Sequence, residues 1–81
     1  MRTVNKFYRV DRRRISYIKF ILEAYEGLAV VTTLDSSKGV IVLRVAPGGE
    51  ALAEDVMSDL SKNILIEAIE NDPQKIGEIF V

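Results

Sequence analysis

Two runs of β-branched and apolar residues, Leu28–Leu34 (L-A-V-V-T-T-L) and Val40–Ala46 (V-I-V-L-R-V-A), are separated only by Asp35-Ser36-Ser37-Lys38-Gly39. Short runs of this composition joined by a turn of Asp, Ser and Gly read as a β-hairpin, with Gly39 supplying the positive φ. A sheet with one face in water alternates apolar and polar residues, and these strands scarcely do. They therefore predict a hairpin covered on both sides. The register is left open, because a slip of one residue exchanges the two faces. Val31, Thr33, Val40 and Val42 are the candidates for the covering interface.

The flanking segments supply the rest of the domain. Val4–Val10 (V-N-K-F-Y-R-V) is a strand by aromatic and β-branched content. Asp11 follows in the place of a helix N-cap, and Ile15, Ile18, Leu22 and Tyr25, flanked by Ile21, form an apolar stripe at helical spacing. Gly27 stands where the left-handed residue after a helix is wanted. Pro47-Gly48-Gly49 is a turn. Glu50 to about Lys62 is a second helix, with Leu52, Val56 and Leu60 as its stripe, Ala53 beside them, acid at its start and Lys62 at its end. Residues 64–69 (I-L-I-E-A-I) read as a fourth strand. The rival reading extends the second helix, since Leu60, Ile64 and Ala68 continue its stripe. After Asn71-Asp72-Pro73, the stretch from Ile76 to Val81 is an apolar tail able to add an edge strand or dock on a partner.

The order β-α-β-β-α-β predicts an α+β, ferredoxin-like sandwich: a four-stranded antiparallel sheet with two helices on one face. The whole chain, residues 1–81, is one domain, with a core of about 4–69 and a tail of 70–81. So small a core stabilises a fold by only a few kcal/mol, and a homodimer that covers the second sheet face follows naturally.

The chemistry available is narrow. There is no cysteine and no histidine, which removes thiol nucleophiles, disulfides, haem and most zinc or iron sites. Ser16, Ser36, Ser37, Ser58 and Ser61 sit in no nucleophile motif and have no imidazole to activate them. Glu54, Asp55 and Asp59 fall on the outer face of the second helix, where solvation explains them. The expectation is a protein that is not an enzyme and carries no cofactor or metal. No apolar run approaches the length of a membrane span, and no secretory leader is visible, so a cytoplasmic protein is expected.

Charge supplies the one unusual motif. The net charge is −1, yet residues 1–20 hold seven cations and one carboxylate. Arg12-Arg13-Arg14 occupies the first turn of the first helix, where cations oppose the helix dipole. Neutralisation by Asp11, by an acidic neighbour or by water accounts for it. The functional alternative makes Asp11, Arg12, Arg13 and Arg14 a site for a small anionic effector, or a contact with nucleic acid or a nucleotide. RNA-recognition domains share the element order, but place aromatics where Val40 and Val42 stand, so base stacking is not expected here. Tyr17, Phe20 and Tyr25 lie on or near the first-helix stripe and read as core and rim.

The stretch from Phe7 to Asp35, with V-D-R-R, then E-A-Y-E-G-L-A, and the hairpin ending A-P-G, resembles a family of bacterial proteins of about this length catalogued as a domain of unknown function. The resemblance covers roughly Lys6 to Ile69 and brings no catalytic residues. The element order also resembles the ACT group, which implies dimers that bind amino acids or similar effectors near the first strand–helix loop. ACT loops often hold a glycine, and Asp11–Arg14 has none, so only side chains are left to bind an effector. The combined expectation is an ACT-like regulatory or interaction module, dimeric through its sheet.

Overall fold

The computed structural model describes residues 4–69. Strand β1 (Val4–Val10) leads through a 3-10 turn (Arg12–Arg14) into helix α1 (Ile15–Ala24); β2 (Ala29–Asp35) and β3 (Val40–Val45) form the hairpin; helix α2 (Glu50–Leu60) precedes β4 (Ile66–Ile69). The strands lie in the order β2-β3-β1-β4, each antiparallel to its neighbours. Both helices cover one face, so the fold is the ferredoxin-like sandwich expected. The last segment is a strand and not an extension of α2. The apolar tail from Ile76 lies outside the described residues.

The register assigns every strand residue to a face. Val31, Leu43 and Lys6 stand in one cross-strand row, and Thr33, Ile41, Tyr8 and Ala68 in another. These rows face the helices, because Tyr8, Val10, Val31, Ile41, Leu43 and Val45 form one core with Ile18 and Leu22 of α1 and Ala53, Val56 and Met57 of α2. Ile18, Leu22, Ile41, Leu43 and Val45 are fully enclosed.

Two stripes differ from expectation. On α2 the buried residues are Ala53, Val56 and Met57, with Leu60 at their margin, while Leu52 is exposed. The helix is rotated so that Ala53 joins the shared core and Leu52 turns away from it. On α1, Phe20 is 69% exposed and Tyr17 and Tyr25 are also exposed. Ile18 and Leu22, one turn apart on one face, carry the contact with the core, with the partly buried Ile15 and Ile21 beside them.

Gly39 fixes the hairpin against β1. Its φ is +72°, and a β-carbon there would stand 2.0 Å from the Val10 carbonyl oxygen. Val10 N–H donates to the Gly39 carbonyl at 2.8 Å, so turn and strand meet backbone to backbone. Asp35 holds the other side of the turn, accepting from the Ser37 N–H at 3.0 Å, the Ser37 hydroxyl at 2.7 Å and the Lys38 N–H at 3.1 Å. The Ser37 bond is the main reason the Asp35 carboxyl sits below its ordinary pKa.

Candidate functional site

The β1–α1 junction gathers Asp11, Arg12, Arg13 and Arg14, as the sequence led one to expect. Asp11 has extended backbone and its N–H donates to the Leu65 carbonyl at 3.1 Å, which pins the junction to the start of β4. Its Oδ1 accepts from the Arg13 N–H at 3.0 Å, the bond of an N-cap. The Arg13 guanidinium then folds back, with Nε 3.2 Å from Oδ1 and Nη2 3.3 Å from Oδ2. The carboxyl is held below its ordinary pKa first by the Arg13 side chain and next by the Arg13 backbone, and the Arg13 guanidinium is raised in return.

The electrostatic problem of three cations at a helix start is thus answered locally for Arg13. The anion at this N-terminus is the chain's own Asp11 carboxylate. Arg12 and Arg14 are exposed, and Arg14 borders a cleft of about 290 Å³ with Tyr17, Asp59, Leu60, Asn63 and Ile64. Asp59 in that lining opposes an anionic ligand. At Pro47-Gly48-Gly49 the Gly49 N–H donates to the Ala46 carbonyl at 2.9 Å, an ordinary turn.

The second surface is the sheet face away from the helices. Its central row runs Thr32–Val42–Phe7–Ile69 across all four strands. On one side lies the row Val30–Arg44–Asn5, and on the other Asp35–Val40–Arg9–Glu67. Val42 and Val40 are only 4% and 7% exposed although no helix covers them. Phe7 is half-buried, Val30 is 58% exposed, and Arg9 pairs with Glu67 at 3.5 Å.

This divides the four expected interface residues. Val40 and Val42 are on the open face. Val31 and Thr33 are not, because their partners Leu43 and Ile41 face the helices; Val31 is part of the core. Thr32 belongs to the other face of β2, and a bulge between Thr33 and Asp35 leaves Leu34 without a cross-strand partner. Phe7, which sequence reasoning did not single out, stands in the central row of the open face. The signal lay in β1, where Asn5, Phe7 and Arg9 alternate with buried Tyr8 and Val10.

A polar cluster was also missed. Lys6 lies on the helix side of β1, and its ammonium reaches past the core to Glu54 on α2 at 2.5 Å. That bond is the chief cause of the raised Lys6 pKa, while burial raises the nearby Tyr8 hydroxyl. A lysine held protonated and a phenol held neutral make a strut, not a base. Among the described residues, no three acidic side chains gather as a metal site requires, and no helix is long and apolar enough to cross a membrane.

A family model described as "Domain of unknown function (DUF4911)" matches residues 8–64. The chain belongs to the DUF4911 family. The match takes in Asp11–Arg14, both hairpin strands and all of α2, and stops before β4. No curated protein and no solved structure matches.

Proposed function

We propose that this DUF4911 chain is a non-catalytic, ACT-like interaction module that works as a homodimer packed through its open sheet face. The observation that carries the reading is the central row Thr32–Val42–Phe7–Ile69, uncharged from edge to edge, apolar in its last three members and uncovered by either helix among the described residues. A two-fold axis along this row lays it on its own copy. The same operation sets each Arg44 row against the partner's row of Asp35, Arg9 and Glu67, so a net positive strip meets a net negative one. A face of this kind left in water is a liability that a second copy removes. The absence of histidine and cysteine supports a role without catalysis.

Light scattering during size exclusion at micromolar concentration tests this. The expected mass is twice 9.1 kDa, and Phe7→Lys, which charges the middle of the face, shifts the protein toward the monomer. A 9.1 kDa species at all concentrations overturns the reading.

A second reading rests on the junction. The turn carrying Lys38 lies against the β1–α1 loop through the Val10–Gly39 hydrogen bond, which adds a cation to Arg12 and Arg14 at one end of the molecule. In this reading a polyanion binds there, or a small anionic effector held by Arg12 and Arg14. Salt-sensitive retention on heparin tests the polyanion, and calorimetric titration with amino acids and phosphate tests the effector.

A further inference from the structure

Strand β2 forms one outer edge of the sheet. The Ala46 N–H donates to the Leu28 carbonyl at 2.8 Å, and the hairpin register continues from that pair. N–H and C=O of one strand residue point the same way, and the direction alternates along the strand. Val30 and Thr32 therefore bond to β3, whereas Ala29, Val31 and Thr33 direct their N–H and C=O groups outward. Among the described residues no strand lies beyond β2.

Edge strands are ordinarily guarded by lysine, proline, short length or an inward charge. The other edge, β4, is four residues long and carries Glu67. Ala29–Leu34 holds no charge and no proline, and its one irregularity is the bulge near Asp35. Val30, within this run, is exposed and borders a mainly apolar cleft of about 360 Å³ with Leu28, Ala29, Ala46 and the Arg44 side of β3.

We infer that this edge pairs with the same edge of a second copy, antiparallel and centred on Val31. In that register Val31 faces Val31 of the other copy, and Ala29 faces its Thr33. Every outward group then finds a partner, since each facing pair exchanges both bonds. On the open face Val30 comes to lie opposite Thr32 of the second copy. Helix α1, packed over β2, adds charge complementarity. Tyr17 borders the cleft toward α2 with Asp59, so Lys19, about 200° further round the helix, lies on the opposite flank, with Glu23 one turn along. The two-fold brings Lys19 of one copy toward Glu23 of the other. The surface is distinct from the stacking of sheet faces, and neither requires the other.

Backbone amide exchange by NMR on the full chain at high concentration reads the edge directly. The expected result is slow exchange at Ala29, Val31 and Thr33, matching Val30 and Thr32, with protection that declines on dilution. Thr33→Pro removes an outward N–H that has no partner among the described residues, and is expected to abolish the edge pairing and the protection at Ala29 and Val31. Phe7→Lys, which breaks only the stacking of faces, is expected to leave that protection intact at the concentration of the NMR experiment. Lys19→Glu is expected to weaken pairing about three- to tenfold, and Lys19→Glu with Glu23→Lys to restore it. Fast exchange at the three outward amides overturns the proposal whatever the mass of the protein. Slow exchange in a 9.1 kDa monomer also overturns it, since the edge is then covered from within the chain.

Discussion

Arg13 donates to Asp11 twice over, from its backbone N–H at 3.0 Å and from its guanidinium at 3.2 and 3.3 Å. One carboxylate therefore both caps the 3-10 turn that starts the helix and discharges one of three adjacent cations. The most conspicuous motif in the sequence is in part a structural device. It leaves Arg12 and Arg14 as the cations to consider for binding.

The first prediction concerns acid. The Asp11 carboxyl has a folded pKa below its ordinary value, so its contribution to stability is complete above the unfolded value, about pH 4, and is lost as pH falls through the folded one. Asp11→Asn is expected to lower Tm by a few degrees at pH 7. The gap from the wild type should close as pH falls below about 4, through the lowered folded value. Thermal melts across this range check it, and a gap independent of pH contradicts the assignment.

Helix α1 provides a contrast between two large apolar residues. Leu22 is fully enclosed while Phe20 is 69% exposed. Leu22→Ala is expected to cost about 2–5 kcal/mol in denaturant unfolding, and Phe20→Ala about 0.5 kcal/mol or less. Comparable losses would mean that α1 presents a different face to the sheet.

Gly39 and Gly27 have nearly the same positive φ, +72° and +74°, but opposite surroundings. A β-carbon at Gly27 meets nothing within 4 Å, whereas at Gly39 it runs into the Val10 carbonyl. Gly27→Ala should cost about 1–2 kcal/mol from the backbone alone. Gly39→Ala should cost clearly more, because the turn must leave β1. Equal losses in urea titrations would show that turn and strand are not in contact.

The basic end makes a graded prediction for polyanions. If heparin is retained, Arg12→Ala with Arg14→Ala should lower the salt concentration of elution more than Arg13→Ala does, since Arg13 already serves Asp11. Equal effects of all three arginines would mean that the Asp11–Arg13 pair opens on binding.

Local chemistry made much of this fold legible in the sequence. Strand β1, the hairpin, the Asp11 cap and the Gly39 turn follow from short-range preferences: β-branched packing, a carboxylate beside free N–H groups, a glycine where φ is positive. The element order then leaves few ways to connect the pieces, and β-α-β-β-α-β implies this sandwich. Faces and partners needed the tertiary structure. β3 has apolar residues on both sides, so only its pairing with β1 and β2 decides that Ile41 and Leu43 meet the helices while Val40 and Val42 do not. The same pairing sends Val31 inward and places Phe7 on the open face. Leu52 and Phe20 have the hydrophobicity of core residues and are exposed, because helix rotation is set by which side chains fit the sheet. Lys6 and Glu54 are 48 residues apart, and no pattern in the chain announces that they meet. The sequence by itself determined which elements form, since that is a matter of neighbours along the chain. Only the tertiary structure decided which faces are buried, since that is a matter of neighbours in space.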